Sequence, residues 1–251
     1  MRFYFNHPVD RIEIEGKKVK GVVSNGNKFP ADIVVSNADV YFTYQHLLKI
    51  PRQASKVLKQ ERSCSGVIFY WGMKQHFPEL HLHNIFFSAA YKEEFEHVFR
   101  HKTLFDDPTV YINITSKMDA SHAPEGKENW FVMVNVPANK GQDWDTIITK
   151  TRKNVLAKLS RELGTDIEPL IEEEDLLDPR SIDSKTSSYQ GSLYGTSSNN
   201  KFAAFLRHKN FSSQFGNLFF CGGSVHPGGG IPLCLLSGKI VSDLIAQKFK
   251  P

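Results

Sequence analysis

The chain has no Gly-x-Gly-x-x-Gly anywhere in its 251 residues, and that absence excludes a self-contained dinucleotide-binding unit of the usual strand–turn–helix kind. Cysteine is scarce. Cys64, Cys221 and Cys234 are the only three, with no metal-type spacing, so a zinc site is excluded, and an odd number without a signal peptide predicts free thiols in a reducing compartment. No apolar run approaches the ~20 residues needed to cross a bilayer, so any membrane contact is expected to be peripheral. Charge of one sign is never concentrated either. A net charge of +4 is spread over 31 basic and 27 acidic residues without a basic run, which argues against nucleic acid as a partner.

What is present begins with β structure. Val9 to Ile14 and Val19 to Ser24 read as short strands joined at Glu15-Gly16-Lys17, Asn25-Gly26 marks a hairpin turn, and Asp32 to Ser36 is a buried strand. Helical spacing follows from Asp39 to Leu48 and again from Ala54 to Glu61. Strands are predicted at Gly66–Met73, Asn84–Ser88, Thr109–Thr115 and Asn129–Val136, with a helical stretch from Lys92 to His101. Asp143 to Leu163 is the clearest helix: Ile148, Val155, Leu159 and Leu163 share a face, and Gly164 follows as a C-cap. Ser184 to Asn200, rich in Ser, Gly, Tyr and Asn, reads as a long loop. The fold class is α+β, with a mixed or antiparallel sheet under helices, and the strand at Leu218 is expected to return to the sheet begun by Ile33. Nineteen Phe, eight Tyr and three Trp fill either an ordinary core or a long apolar tunnel.

The densest signal lies near the C-terminus. The apolar strand Leu218-Phe219-Phe220 runs into Cys221-Gly222-Gly223-Ser224-Val225-His226-Pro227-Gly228-Gly229-Gly230, and Ile231-Pro232 then opens an apolar helix. A glycine-rich turn feeding a helix with proline near its first position aims free amides and a positive dipole end at a polar or anionic ligand. This arrangement suits the pyrimidine edge of a flavin, where negative charge grows on reduction. It is half of a cofactor site. With the other half absent, the chain is expected to be the C-terminal portion of a longer flavoprotein.

Other chemistries fit poorly. Gly238-Lys239 is not a phosphate loop, because Leu233 stands where its first glycine belongs and Ile240 where Ser or Thr should follow. Gly222-x-Ser224 is not a nucleophile elbow, because His226 replaces the closing glycine and the helix starts too late. His97 and His101 stand four apart with Glu93 one turn earlier, but the Glu of His-Glu-x-x-His is missing, and a solvated helix face accounts for them. No metal is assigned.

The segment Phe220 to Pro232 closely resembles the C-terminal flavin-binding signature of the phytoene desaturase family. Ala31 to Asp39, Asp107 to Ile112 and Ala123 to Gly126 resemble the same family, and the resemblance covers nearly the whole chain. Tyr194-Gly195 with Ser197, and Leu233 to Lys239, are more similar to the branch acting on hydroxylated carotenoids. The resemblance implies a FAD domain split around a substrate domain, here residues 1–38 and 210–251 around 39–209. It implies Val9 at the adenine, Ser36, Asn37 and Ala38 bordering the flavin, Gly222, Gly223 and Ser224 along the ribityl and pyrophosphate, and Gly230, Ile231, Pro232 and Leu233 at the isoalloxazine. It names FAD as cofactor, with the unit that carries most of the pyrophosphate contact missing from this chain, and a carotenoid or similar long polyene as substrate. His226 is the nearest candidate for a catalytic side chain, although backbone positioning accounts for it.

A polyene dissolves in membrane rather than water, so a cytoplasmic protein docked on the inner face of the membrane is expected. Two alternatives stand beside desaturation. The chain is a catalytically incomplete module that binds lipid or a partner, and self-associates through the surface a missing unit would cover. Or it serves another flavin chemistry: a retinol-saturase-like reductase, a carotenoid isomerase, or an amine-oxidase-like enzyme, the last disfavoured because Gly223 stands where that group carries an acidic residue.

Overall fold

The computed structural model describes residues 1–197 and 207–249. The chain divides into two compact units, residues 1–63 with 183–251 and residues 64–182. Both units mix helices and sheets, so the α+β expectation holds.

The first unit opens with a three-stranded antiparallel sheet, β1 (Val9–Glu15), β2 (Lys18–Ser24) and β3 (Asn27–Pro30). Asn25 and Gly26 join β2 to β3 with φ of 49° and 78°, the left-handed pair that a two-residue hairpin needs, so the Asn-Gly signal is literal. The chain then forms β4 (Val34–Ser36), which pairs in parallel with the distant β10 (Leu218–Phe220) through Leu218↔Val34 and Phe220↔Ser36. After β4, Asp39 caps a short helix α1 (Val40–Phe42) that continues as a π-helical turn, Thr43–Leu47, and α2 (Pro51–Val57) follows. Val34, Val40, Tyr44, Leu47, Leu48, Ala54, Leu218, Phe220 and Val225 form one buried cluster. That cluster is why residues 39–63 belong with the terminal segments: their apolar face covers β4 and β10, and the unit divides after Ser63 instead of after residue 38.

The second unit is a five-stranded antiparallel sheet in the order β6 (His83–Phe86), β7 (Val110–Asn113), β8 (Glu128–Val136), β5 (Ser65–Met73), β9 (Ile171–Leu177). Period-two alternation puts Val67, Phe69, Trp71 and Met73 of β5 and Trp130, Val132, Val134 and Val136 of β8 on one face. Helix α4 (Trp144–Leu163) lays Val155, Leu156 and Leu159 on it. Asp143 caps α4 by accepting from Thr146 N, and Gly164 ends it at φ 66°. Helix α3 (Tyr91–Glu96) extends as a π-helical turn over His97–His101.

Two elements depart from the sequence reading. β9 was not expected, because Ile-Glu-Glu-Glu-Asp-Leu-Leu carries no alternation of apolar residues; it is an edge strand, where acidic side chains discourage further pairing. The stretch expected as a loop from Ser184 begins inside helix α5 (Pro179–Thr186), capped by Asp178 accepting from Arg180 N and Ser181 N, and its last residues, 198–200, lie outside the described residues. The second division of the chain falls after Ile182, within α5, instead of after residue 209. The last element is α6 (Ile231–Lys248), in the first unit.

Candidate functional site

Parallel strands leave their carboxyl ends side by side, and loops leaving such ends are where open α/β sheets bind ligands. Here the ends of β4 and β10 bring two of the sequence-selected segments together. Cys221 N donates to Ser36 O at 3.0 Å, continuing the ladder one residue past β10. The Asn37 amide oxygen lies against Gly222, where an added Cβ would stand 2.3 Å from it, and Gly222 has a φ of 100°. Only glycine satisfies both conditions. Ser224 is buried and its Oγ accepts from Val40 N at 3.0 Å, tying the turn after β10 to the first turn of α1. Ser36 is buried and shares a hydrogen bond with Thr43 Oγ1 at 2.8 Å. Asn37 is exposed and Ala38 half-buried, on the open side of the junction.

The turn itself is held from below by residues that the sequence reading did not select. Asn210, buried, points its amide nitrogen at Phe220 O (3.1 Å), His226 O (2.8 Å) and Ser237 Oγ (2.9 Å), bridging both ends of the turn to α6. Ser237, fully buried after the apolar first turns of α6, also accepts from Gly222 N at 3.2 Å. Arg207 donates to Tyr194 O (3.0 Å), Gly223 O (3.1 Å) and Thr196 O (2.8 Å), and packs on Gly228. Burial, reinforced by the nearby Arg62 charge, lowers the pKa of Arg207. Gly229 packs on Tyr194, and Gly195 on Ser224, each so closely that a Cβ would overlap its neighbour. Arg62 and Asp39 form a buried ion pair beside α1. A serine directly after the apolar run Ile231 to Leu236 is a sequence signal that could have found Ser237. Asn210 and Arg207 carry none.

His226 is exposed, and its backbone does the work: its N–H donates to His208 O at 2.9 Å and its carbonyl accepts from Asn210. His208 in turn donates from Nδ1 to Lys209 O (2.7 Å) and accepts at Nε2 from Tyr44 Oη (3.1 Å), and burial lowers its pKa. The Cys221 thiol is pushed up by burial and by the neighbouring Cys234. Val9 stands elsewhere, at the start of β1 in the three-stranded sheet.

At the far end of the turn, Gly230 has φ 93° and open space where a Cβ would be, and α6 starts without a capping side chain, with Pro232 in its first turn. Ile231, Leu233, Leu235 and Leu236 are exposed beside it. Amides at the helix start with room in front of them, flanked by apolar surface, fit a flat heteroaromatic group with a polar edge, and so meet the demand of a flavin. Among the described residues no group of three or more His, Cys, Asp or Glu could hold a metal ion.

Residues 1–246 match the family of flavin-containing amine oxidoreductases. The chain belongs to that family. Among curated relatives, a 1-hydroxycarotenoid 3,4-desaturase of Flavobacterium sp. is 55% identical over 98% of this chain and 50% of its own length. A phytoene desaturase of Fusarium fujikuroi is 36% identical over 92% of the chain and 44% of its own, and a 4,4'-diapolycopene oxygenase of Methylomonas sp. is 37% identical over 92% and 47%. The chain thus spans about half the length of the curated relatives it matches. Among solved structures, an oxidoreductase from Methanosarcina mazei matches with TM-score 0.61 at 14% identity over 94% of this chain and 48% of that one. Cyclohexylamine oxidase from Brevibacterium oxydans matches with TM-score 0.59 at 13% identity, over 97% and 49%. These two establish the fold.

Proposed function

We propose that this chain forms the C-terminal part of an FAD-dependent desaturase that removes hydrogen from a carotenoid polyene, with hydroxylated carotenoids as the substrate class. The observation that carries the reading is the glycine turn at the paired ends of β4 and β10, opening onto an uncapped α6. The substrate class follows from resemblance: identity is 55% to a desaturase acting on a hydroxycarotenoid, and 13% to an amine oxidase of the same fold.

When bound, FAD supplies the acceptor for the hydrogen removed from an allylic C–H bond that has no acidic proton. In this proposal Gly222, Gly223 and Ser224 lie along the ribityl and pyrophosphate, Ser36, Asn37 and Ala38 border the flavin, and Val9 reaches the adenine. Gly230, Ile231, Pro232 and Leu233 meet the isoalloxazine. His226 positions the turn through its backbone, and its ring takes no proton-transfer role. The second unit would supply substrate surface. The face of its sheet opposite α4 carries a cavity of about 520 Å³ lined on one side by Tyr70 and Phe131 and elsewhere by the polar Asn113, Thr115 and Asn129 and the acidic Glu173, Glu174 and Asp175; Phe131 packs edge-on against both Tyr70 and Tyr111. Its aromatic side is the part that suits a flat polyene.

A polyene partitions into lipid, so the protein is proposed to sit at the inner face of the membrane as a peripheral protein; among the described residues no helix is long and apolar enough to cross one. A second reading, that the chain acts as a binding module and self-associates, is favoured by the exposed Ile231, Leu233, Leu235 and Leu236 of α6. Incubation of the FAD-loaded protein, with this chain joined to the N-terminal half of a relative such as the 1-hydroxycarotenoid 3,4-desaturase, with a hydroxylated acyclic carotenoid in vesicles tests the leading reading. It predicts a product lighter by two hydrogens with a red-shifted polyene spectrum. Turnover of an amine instead, or an unchanged carotenoid in the presence of bound FAD, would overturn it.

A further inference from the structure

The sheet of the second unit has a gap in the face opposite α4, and a glycine makes it. In register across that face, Gly72 of β5 stands between Asn129 of β8 and Glu173 of β9, so the middle of the row carries no side chain, whereas the neighbouring row of Phe131, Tyr70 and Asp175 is complete. The cavity of about 520 Å³ has Gly72 in its lining, and its volume is that of a small-ligand pocket. Backbone geometry does not require the glycine. Its φ is outside the left-handed region, although the pairing with β9 shifts register between Gly72 and Met73. A Cβ at Gly72 would have Glu173 Cβ at 3.3 Å as its nearest neighbour, on the edge strand β9, where a shift of a few tenths of an ångström relieves the contact. Glycine inside a strand weakens it, and one that neither dihedral nor packing demands marks a surface that something approaches closely.

The polar lining indicates what that something carries. Asn113 gives away both hydrogens of its amide, to Leu82 O at 2.9 Å and His83 Nδ1 at 3.1 Å. A carbonyl only accepts, so the amide's orientation is fixed, and its Oδ1 accepts no hydrogen bond among the described residues. Asn129 is fixed in the same way. Its Oδ1 accepts from Ser116 N at 2.9 Å and its amide donates one hydrogen to Thr115 Oγ1 at 2.7 Å, which leaves its second hydrogen and the Thr115 hydroxyl hydrogen to spare. All three residues are half-buried and line the cavity. One spare acceptor beside two spare donors matches an alcohol, which both donates and accepts. The carboxylates of Glu173 and Asp175 in the same lining repel an anion, and an ammonium group has no lone pair for Thr115 and Asn129.

We propose that the hollow over Gly72 is the subsite for the hydroxyl-bearing end of the substrate, with Asn113 Oδ1 accepting from that hydroxyl and Thr115 and Asn129 donating to it. The adjoining rings of Tyr70 and Phe131, 5.6 Å apart, then carry the first carbons of the apolar chain. The assignment rests on the reading of a hydroxylated polyene as substrate, and it names the residues that distinguish such a polyene from its parent hydrocarbon.

The test is a titration of the nitrogen-15-labelled full chain, followed through the amide shifts of Gly72, Asn113 and Thr115. Three ten-carbon isoprenoids are compared: one ending in a tertiary alcohol, the parent hydrocarbon and the matching amine. The alcohol should give saturable shifts at these amides and bind at least about threefold more tightly than the hydrocarbon, the worth of one modest hydrogen bond. Thr115→Val should narrow that preference, and Gly72→Val, which fills the hollow with a good strand former, should abolish binding of both with circular dichroism unchanged. The comparison of alcohol with hydrocarbon on the wild type decides even where a variant fails to fold. Equal affinity for the two would overturn the hydroxyl subsite, and tighter binding of the amine would overturn it in favour of a cation site. Silence at these amides, with the FAD-loaded joined protein still dehydrogenating a hydroxylated carotenoid, would overturn the subsite and leave the desaturase reading standing. Alcohol-selective binding without any such dehydrogenation would support the subsite and overturn the desaturase reading.

Discussion

Replacing Asn210 with Ala should loosen the glycine turn from beneath without touching any residue proposed to meet the cofactor. Its amide nitrogen serves three acceptors, two of them buried, with two hydrogens, so the substitution removes at most two full hydrogen bonds and leaves Phe220 O and His226 O without this donor. A buried polar group left without its partner costs about 1–3 kcal/mol, which places the loss near 3 kcal/mol after partial relaxation. Ser237 Oγ retains the Gly222 N–H, so a double variant with Ser237→Ala should show coupling of about 0.5–3 kcal/mol instead of additive losses. The choice of assay matters. Trp71, Trp130 and Trp144 all lie in the second unit, so tryptophan emission reports on the wrong half of the chain. Hydrogen exchange followed by peptide mass spectrometry reads the turn directly, and 3 kcal/mol corresponds to about a hundredfold faster exchange at Cys221, Gly222 and His226. Unchanged exchange there, or a stability loss under about 1 kcal/mol, would refute the view that Asn210 holds the turn.

Gly229→Ala places a Cβ 2.4 Å from Tyr194 Cδ1 and should cost about 1–3 kcal/mol of overpacking; Gly229→Ala/Tyr194→Ala should recover most of it in urea denaturation followed by circular dichroism. His208 has a lowered pKa from burial, so the unfolded chain takes up its proton first as pH falls. Its stabilising contribution is complete above the ordinary histidine value of about 6.5 and is lost as pH drops below it; a His208→Gln variant should show a flatter stability profile between pH 7 and 5. Lys158, buried in α4, donates to Phe87 O, Pro108 O and Asp107 Oδ1. Lys158→Met should destabilise the second unit by about 2–4 kcal/mol, read from tryptophan emission, and leave exchange at Cys221 and Gly222 unaltered.

The hairpin at Asn25-Gly26, the helix between Asp143 and Gly164 and the strand–turn–helix at Leu218 to Pro232 were legible because each is written locally, in turn chemistry, capping or periodicity. β9 was not, since an edge strand of acidic residues is specified by its partner β5 and by the Arg152–Glu174 pair rather than by its own pattern. The pairing of β4 with β10 joins residues about 180 apart, and only family resemblance and the apolar runs hinted at it. The compact units divide elsewhere than the boundaries expected from sequence for a related reason: the apolar residues from Val40 to Ala54 cover β4 and β10, a tertiary choice that helical spacing does not encode. Asn210 and Arg207 were invisible because a single polar residue acquires its role only from the carbonyls that folding brings to it.

The most direct test of the account is a difference-absorption titration of the purified chain with FAD, carried from micromolar to millimolar so that weak binding is seen. A saturable perturbation of the flavin bands, weakened by Gly229→Ala and by Leu233→Arg, is the predicted result. A perturbation that never saturates, or one indifferent to both substitutions, would contradict the placement of the flavin at this turn.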